Sequence, residues 1–66
     1  MRYKAGDIVG WTKDNTITDR VIEINERGHY LLEEIRSGWK WECAPQDFEK
    51  ASYLIFDPND VLKAML

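Results

Sequence analysis

The chain has little of what usually stabilises a small domain by cross-linking. It contains one cysteine and one histidine among 66 residues, so it can form no internal disulfide and lacks the repeated Cys/His spacing of a zinc site. No apolar run approaches the roughly 18 residues of a membrane span, and no apolar segment follows Arg2 and Lys4 as in a signal peptide. We therefore expect a cytoplasmic protein whose stability comes from its hydrophobic core.

Charge of one sign is also scarce. Charged residues are 32% of the chain, of mixed sign, and the formal net charge is −3, which is the wrong sign for easy non-specific binding to nucleic acid. The sequence has neither a phosphate-cradling glycine loop nor a metal-ligand cluster. We expect no metal, no cofactor and no catalytic activity.

Aromatic residues are what the chain has in quantity. Three Trp, three Tyr and two Phe can each bury about 150 to 250 Å². That supply is enough to build the core of a single domain over residues 1–66, and the chain has no room for a second domain.

Short apolar runs separated by turn residues predict an antiparallel sheet of five strands. The centre is residues 20–43, where turns at residues 25–28 and 36–38 separate three strands of a meander. A first strand, Ile8 to Trp11, precedes this meander, and a fifth strand at 51–56 follows it.

Pro45 has no N–H to donate, so it ends the fourth strand. Residues 46–50 then fit one helical turn, with Phe48 closing one end of the fold.

Alternation along the strands predicts which side chains are buried. In the second strand it puts Ile22 and Ile24 on the buried face and Asp19 with Val21 on the other. Arg20 then falls on the Ile22 face, which suggests either that its stem packs while its head reaches solvent, or that a bulge at Arg20-Val21 changes the phase.

In the fourth strand, the alternation places Trp39, Trp41 and Cys43 on one face. We expect Trp41 and Cys43 to be buried, with Lys40 and Glu42 in solvent.

A short C-terminal helix is predicted over about 58–66. Asp57 is suited to the N-cap and Pro58 to the first helical position, and an apolar stripe follows, made of Val61, Leu62, Met65 and Leu66. A helix this short must dock on something: either on this chain, around Leu31 and Ile35, or in a groove of another chain.

The segments Y-K-A-G-D-I-V, R-V-I-E-I and Y-L-L, with a short turn before a last strand Y-L-I, resemble the small SH3-like barrels of the KOW and Tudor type. They are also similar to short barrel proteins from bacteriophage and prophage genomes. The resemblance covers about residues 3–56. It implies a mainly β fold, a five-stranded antiparallel SH3-like small barrel followed by the short C-terminal α-helix.

The candidate binding site is an aromatic patch. Its members are Trp11, Tyr30 and Trp39. Trp41 follows Trp39 at the two-residue spacing that puts both indoles on one face of a strand. One interpretation makes these rings the core; the other leaves Trp39 and Trp11 partly exposed as anchors for a partner, since exposed Trp is common in binding hot spots. Tudor-type barrels use such rings to hold methylated cations.

The other reactive side chains are expected to have ordinary structural roles. His29 follows the Gly28 turn and is expected to be a hydrogen-bonded strand-end residue. Cys43 is expected to be a buried, inert thiol, and Asp14 and Asp19 solvated surface carboxylates.

Two function classes follow. The first is a small non-catalytic protein-interaction module, such as a phage or prophage accessory protein that modulates a host factor through an aromatic patch and a sheet edge. Its partner would be another protein. The chain itself is expected to be a monomer or a weak homodimer. The second is a nucleic-acid-associated KOW-like barrel, which needs five cations to gather on one face: Lys13, Arg20, Arg27, Arg36 and Lys40.

Overall fold

The computed structural model describes residues 1–59. It has five strands and one helix in the chain order β1 (Ile8–Trp11), β2 (Thr18–Ile24), β3 (Tyr30–Glu34), β4 (Lys40–Cys43), α1 (Pro45–Ala51) and β5 (Ser52–Phe56). The predicted five strands and the helical turn after Pro45 are confirmed.

The strands form one antiparallel sheet in the order β4-β3-β2-β1-β5. The prediction of a mainly β antiparallel fold is therefore confirmed. Within residues 1–59, β4 and β5 lie at the two edges of the sheet and do not pair, so the sheet is not closed and a barrel is not confirmed.

Glycines make the two hairpin turns of the meander possible. Gly28 and Gly38 both have φ of 76°, in the left-handed region that L side chains rarely adopt. The Gly28 N–H donates to the Asn25 carbonyl at 2.9 Å, and the Gly38 N–H donates to the Glu34 carbonyl at 2.7 Å. These turns set where β3 and β4 begin.

The core lies against one face of the sheet, which we call the core face. Its fully or nearly fully buried apolar residues are Tyr3, Val9, Val21, Tyr30, Leu32 and Phe48. Phe48, from α1, is at its centre: its ring lies 5.0 Å from Tyr30, 5.2 Å from Tyr3 and 5.2 Å from Trp11, measured between centroids.

Helix α1 carries Phe48 over the core face. It begins at Pro45, where the missing N–H leaves no hydrogen bond unmade. The helix has seven residues, and no helix within residues 1–59 is long and apolar enough to cross a membrane.

The predicted burial of the Ile22 and Ile24 face of β2 is wrong, and the alternative of a bulge that changes the phase is closer to the structure, although the bulge lies after Val21. Val21 and Asp19 are fully buried, whereas Ile24 is 37% exposed and Ile22 is half-buried. The register of β2 against β3 shifts between Val21 and Glu23, and such an irregularity breaks the simple alternation of faces. Asp19 is therefore a core-face residue, and its predicted place as a solvated surface carboxylate is also wrong.

The predicted facing of β4 is confirmed. Trp41 and Cys43 pack against the core, while Lys40 and Glu42 are exposed. The two inward residues are half-buried and not fully buried, because β4 is an edge strand with a neighbour on one side only.

The predicted C-terminal helix lies mostly outside the described residues, and so do its apolar stripe and its docking. At its predicted start, the Asn59 N–H donates to Asp57 Oδ1 at 2.8 Å, as expected of an N-cap. Lys4 Nζ lies 2.6 Å from Asp57 Oδ1 and 2.9 Å from Asp7 Oδ1. The Lys4–Asp57 pair joins the segment after β5 to the beginning of the chain.

Candidate functional site

Three tryptophans form a continuous row of rings on the core face. Trp39 stacks on Trp41 with centroids 5.9 Å apart and planes 13° apart. Trp41 in turn stacks on Trp11 at 5.6 Å and 27°, and Trp11 contacts the buried Phe48. The row thus runs from the core outward to Trp39, which is 63% exposed.

The Asp19 carboxylate forms hydrogen bonds with two of these rings. Its side chain is fully buried, and it accepts the indole N–H of Trp11 on Oδ2 at 2.6 Å and that of Trp41 on Oδ1 at 3.3 Å. An ionised carboxylate only accepts hydrogen bonds, so each oxygen has a suitable donor. These two bonds fix the orientation of the rings that support Trp39.

The tryptophan row borders a cleft of about 260 Å³. We call it the indole cleft, and it is lined by Trp11, Ile17, Asp19, Glu34, Trp39 and Trp41. Its wall is mostly apolar, and its charged members are two carboxylates. Asp19 and Glu34 are Cα partners on β2 and β3, so their side chains lie on the same face of the sheet.

No cation neutralises these two carboxylates within the described part of the chain. Every ion pair found among residues 1–59 involves other acids: Asp7, Asp57, Glu33 and Glu42. The Glu34 carboxylate makes no hydrogen bond there either. The indole cleft is therefore a negatively charged site with aromatic walls.

A second groove of about 350 Å³ continues from the indole cleft. We call it the turn groove, and its lining is Thr16, Ile17, Thr18, Glu34, Ile35 and Arg36. Ile17 and Glu34 border both depressions, and Ile35 is 43% exposed. Together the two form one continuous surface beside the β3–β4 turn.

Of the predicted aromatic patch, the structure brings Trp11 and Trp39 together and places Tyr30 elsewhere. Tyr30 is fully buried in the core, where its hydroxyl donates to Glu49 Oε2 at 2.5 Å and accepts the Tyr3 N–H at 3.1 Å. Burial raises the pKa of this phenol. Trp41 takes its place in the row.

The five cations of the nucleic-acid alternative are Lys13, Arg20, Arg27, Arg36 and Lys40, and the structure spreads them out. Arg20 pairs with Glu33 at 3.2 Å, and Lys40 is the Cα partner of the same Glu33. Arg27 and Arg36 lie in the turns at opposite ends of β3. Lys13 lies in the β1–β2 loop, so the five form no single stripe.

His29 and Cys43 have structural surroundings. His29 Nδ1 lies 2.6 Å from Glu42 Oε2, and this hydrogen bond, followed by the charge of Arg27, holds the pKa of Glu42 below its ordinary value. Burial raises the pKa of the Cys43 thiol, which disfavours the reactive thiolate.

Sequence reasoning missed Asp19, Glu34 and Ile17 as members of the site. Ile17 precedes the predicted strand in a polar loop. Asp19 and Glu34 look like ordinary surface acids when only the sequence is read. One signal was present: buried indole N–H groups need acceptors, and Asp19 is an acidic residue inside the predicted second strand, between Thr18 and Arg20. The phase of β2 had to be known before that signal could be used.

Within residues 1–59 no group of three or more His, Cys, Asp or Glu side chains is arranged to hold a metal ion. No protein-family model, curated protein or solved structure matches this chain. The geometry of the site is therefore the only guide to the function of this chain.

Proposed function

We propose that this chain is a small non-catalytic protein-interaction module that binds its partner through the indole cleft and the adjoining turn groove. The observation that carries the proposal is Trp39, an indole held in a stacked row with 63% of its surface exposed. The resemblance to phage barrels extends the proposal to an accessory protein that modulates a host factor. The order of the strands, with α1 directly before β5, supports an SH3-like architecture for the module.

Trp39 has the energetics of an interface anchor. Burying the exposed part of an indole is worth about 2 to 4 kcal/mol at about 25 cal/mol per Å², and Trp is among the residues most enriched in hot spots. The ring is also preorganised, because Asp19 fixes Trp41 and Trp41 supports Trp39. A partner therefore loses little free energy in ordering this ring.

The edge of the sheet next to Trp39 adds a second means of attachment. Within residues 1–59, β4 pairs only with β3, so the outer backbone groups of Lys40–Cys43 have no partner strand. An extended segment can add to such an edge by backbone hydrogen bonds while its side chains fill neighbouring pockets. The indole cleft can serve as such a pocket, because Trp41 of β4 and the preceding Trp39 line it.

The test compares the proteins captured from a cell lysate by the wild-type chain, by Trp39→Ala and by Ile55→Ala. Ile55 is the matched control, because it is an apolar side chain with 53% of its surface exposed on the opposite edge strand, β5. We expect a set of proteins retained by the wild type and by Ile55→Ala and lost from Trp39→Ala. A retained set that is the same for all three chains would overturn the proposal.

The nucleic-acid alternative is tested by a second measurement, made on the wild type, Trp39→Ala, Arg20→Gln and Lys40→Gln. Binding of DNA and RNA is measured across a salt series, because phosphate contacts make affinity fall steeply with salt. We expect no saturable binding at physiological salt. Salt-dependent binding that weakens in Arg20→Gln and Lys40→Gln, and not in Trp39→Ala, would replace the protein-interaction proposal by the nucleic-acid one.

A further inference from the structure

We infer that the indole cleft takes a guanidinium group, the head of an arginine side chain presented by the partner protein. This inference rests on the proposed function, since it names the chemistry of the group that the module recognises. It is carried by two observations in one cleft: two carboxylates that pair with no cation among residues 1–59, and a row of three tryptophans whose outermost ring, Trp39, is 63% exposed.

The charge of the ligand follows from Asp19 and Glu34. The two are directly opposite on neighbouring strands, and like charges in that arrangement destabilise a sheet. Asp19 is in addition fully buried, where it receives two neutral N–H donors and no cation among residues 1–59. A cation in the cleft relieves both costs, whereas an anion or a phosphate adds to them.

The shape of the ligand follows from the rings. Trp39 and Trp41 stack at 13° from parallel, so one face of the Trp39 indole is not covered by Trp41, and Trp39 lines the same cleft as the Glu34 carboxylate. A guanidinium is planar, stacks on aromatic faces and offers a rigid fork of N–H donors to a carboxylate. An ammonium is a compact and strongly hydrated charge that matches neither the flat face nor the two-oxygen acceptor as well.

The size of the cleft suits the head of a single side chain. Its volume of about 260 Å³ lies below the range of about 300 to 1,000 Å³ of pockets for drug-sized molecules. The turn groove extends from its rim past Ile17 to Ile35, which leaves a path for the residues that flank the arginine. An arginine of a polypeptide can therefore place its guanidinium in the cleft while the residues beside it lie along the turn groove.

The test uses three blocked peptides that differ at one position: Gly-Ser-Xaa-Ser-Gly with arginine, lysine or citrulline at Xaa. Citrulline keeps the planar shape of arginine and removes its charge. Binding to the full chain is followed by NMR through the indole N–H signals of the three tryptophans. We expect saturable shifts with the arginine peptide at millimolar concentration, at least threefold weaker binding of the lysine peptide, and no saturable binding of the citrulline peptide.

Two variants separate recognition from folding. Trp39→Ala removes the exposed indole face and should weaken binding of the arginine peptide at least fivefold. Glu34→Gln removes one of the opposed charges, so we expect weaker peptide binding together with a thermal midpoint that is unchanged or higher. A Glu34→Gln protein that binds the arginine peptide as well as the wild type, or equal binding of the arginine and citrulline peptides, would overturn the inference.

Failure of this inference is distinguishable from failure of the proposed function. If protein capture depends on Trp39 while the arginine peptide binds no better than citrulline, the module stands and the guanidinium assignment is wrong. If protein capture is independent of Trp39, the proposed function is wrong, and the assignment of a partner's arginine, which rests on it, is withdrawn as well.

Discussion

The indole N–H of Trp11 donates a 2.6 Å hydrogen bond to Oδ2 of Asp19, from one strand to the next across the sheet. The carboxylate that accepts it is fully buried. Because its other oxygen accepts the indole N–H of Trp41, one acidic side chain ties together three strands, β1, β2 and β4. The same side chain therefore links strands of the sheet and orients two rings of the candidate site.

Replacement of Asp19 tests this arrangement. Asp19→Ala leaves two indole N–H groups without their acceptor, and each lost partner of this kind costs about 1 to 3 kcal/mol. We expect the thermal midpoint to fall by about 4 to 8 °C for each kcal/mol lost in a domain of this size. The control is Glu26→Ala, an exposed turn residue, which should leave the midpoint near that of the wild type; an equal midpoint for both variants would contradict the prediction.

Phe48 and Trp39 lie at opposite ends of the same chain of rings and should differ sharply in their effect on stability. Phe48 is fully buried, and Phe→Ala in such a place costs about 3 to 5 kcal/mol, which is comparable to the whole stability of so small a domain. Trp39→Ala should cost less than about 1 kcal/mol because most of the ring is already in water. Far-UV circular dichroism should show Phe48→Ala largely unfolded and Trp39→Ala folded. A cooperative transition for Phe48→Ala near the wild-type midpoint would show that this ring is not the centre of the core.

Acid should destabilise the fold in part through Glu49. Its carboxylate accepts hydrogen bonds from the Tyr30 hydroxyl and the Arg2 N–H, and these, the Tyr30 bond first, hold its pKa below the ordinary 4.5. A lowered pKa in the folded state means that the ionised form stabilises the fold above about pH 4.5, and that this contribution is lost as the pH falls through the lower folded value.

The measurement is the free energy of unfolding by urea at intervals from pH 7 to pH 3. Glu49→Gln should be less stable than the wild type at pH 7, and its stability should fall less steeply below pH 4.5. Glu26→Gln is the control, since this exposed residue should leave the slope unchanged. A Glu49→Gln profile parallel to that of the wild type would show that this carboxylate does not drive the acid response.

Gly38 lies in the turn directly before Trp39. This turn needs a glycine because of the backbone conformation at position 38. Its φ is 76°, and a Cβ added there meets nothing within 4 Å. Gly38→Ala should therefore cost about 1 to 2 kcal/mol through backbone strain alone, and Gly38→Asn should cost less, since Asn tolerates this region better. Denaturation midpoints in the order wild type, Asn, Ala are expected; equal midpoints for Asn and Ala would point to a different cause.

The chain's own sequence determined the elements of this fold, because the signals for them are local. Turn residues such as Gly28 and Gly38, and the break at Pro45, lie within a few positions of the strand ends that they define. The alternation of Trp41 with Lys40 and Glu42 likewise placed β4 correctly. Each of these patterns depends on backbone preference and on the two-residue period of a strand.

Only the tertiary structure decided the facing of β2 and the membership of the site. The register shift between Val21 and Glu23 depends on the pairing with β3, so alternation within β2 alone predicted the wrong face. Asp19 meets Trp11 and Trp41 across separations of 8 and 22 residues, and no local pattern encodes that meeting. Whether an acid is a solvated surface group or the buried support of two indoles depends on which strands pair beside it, and pairing is a property of the whole chain.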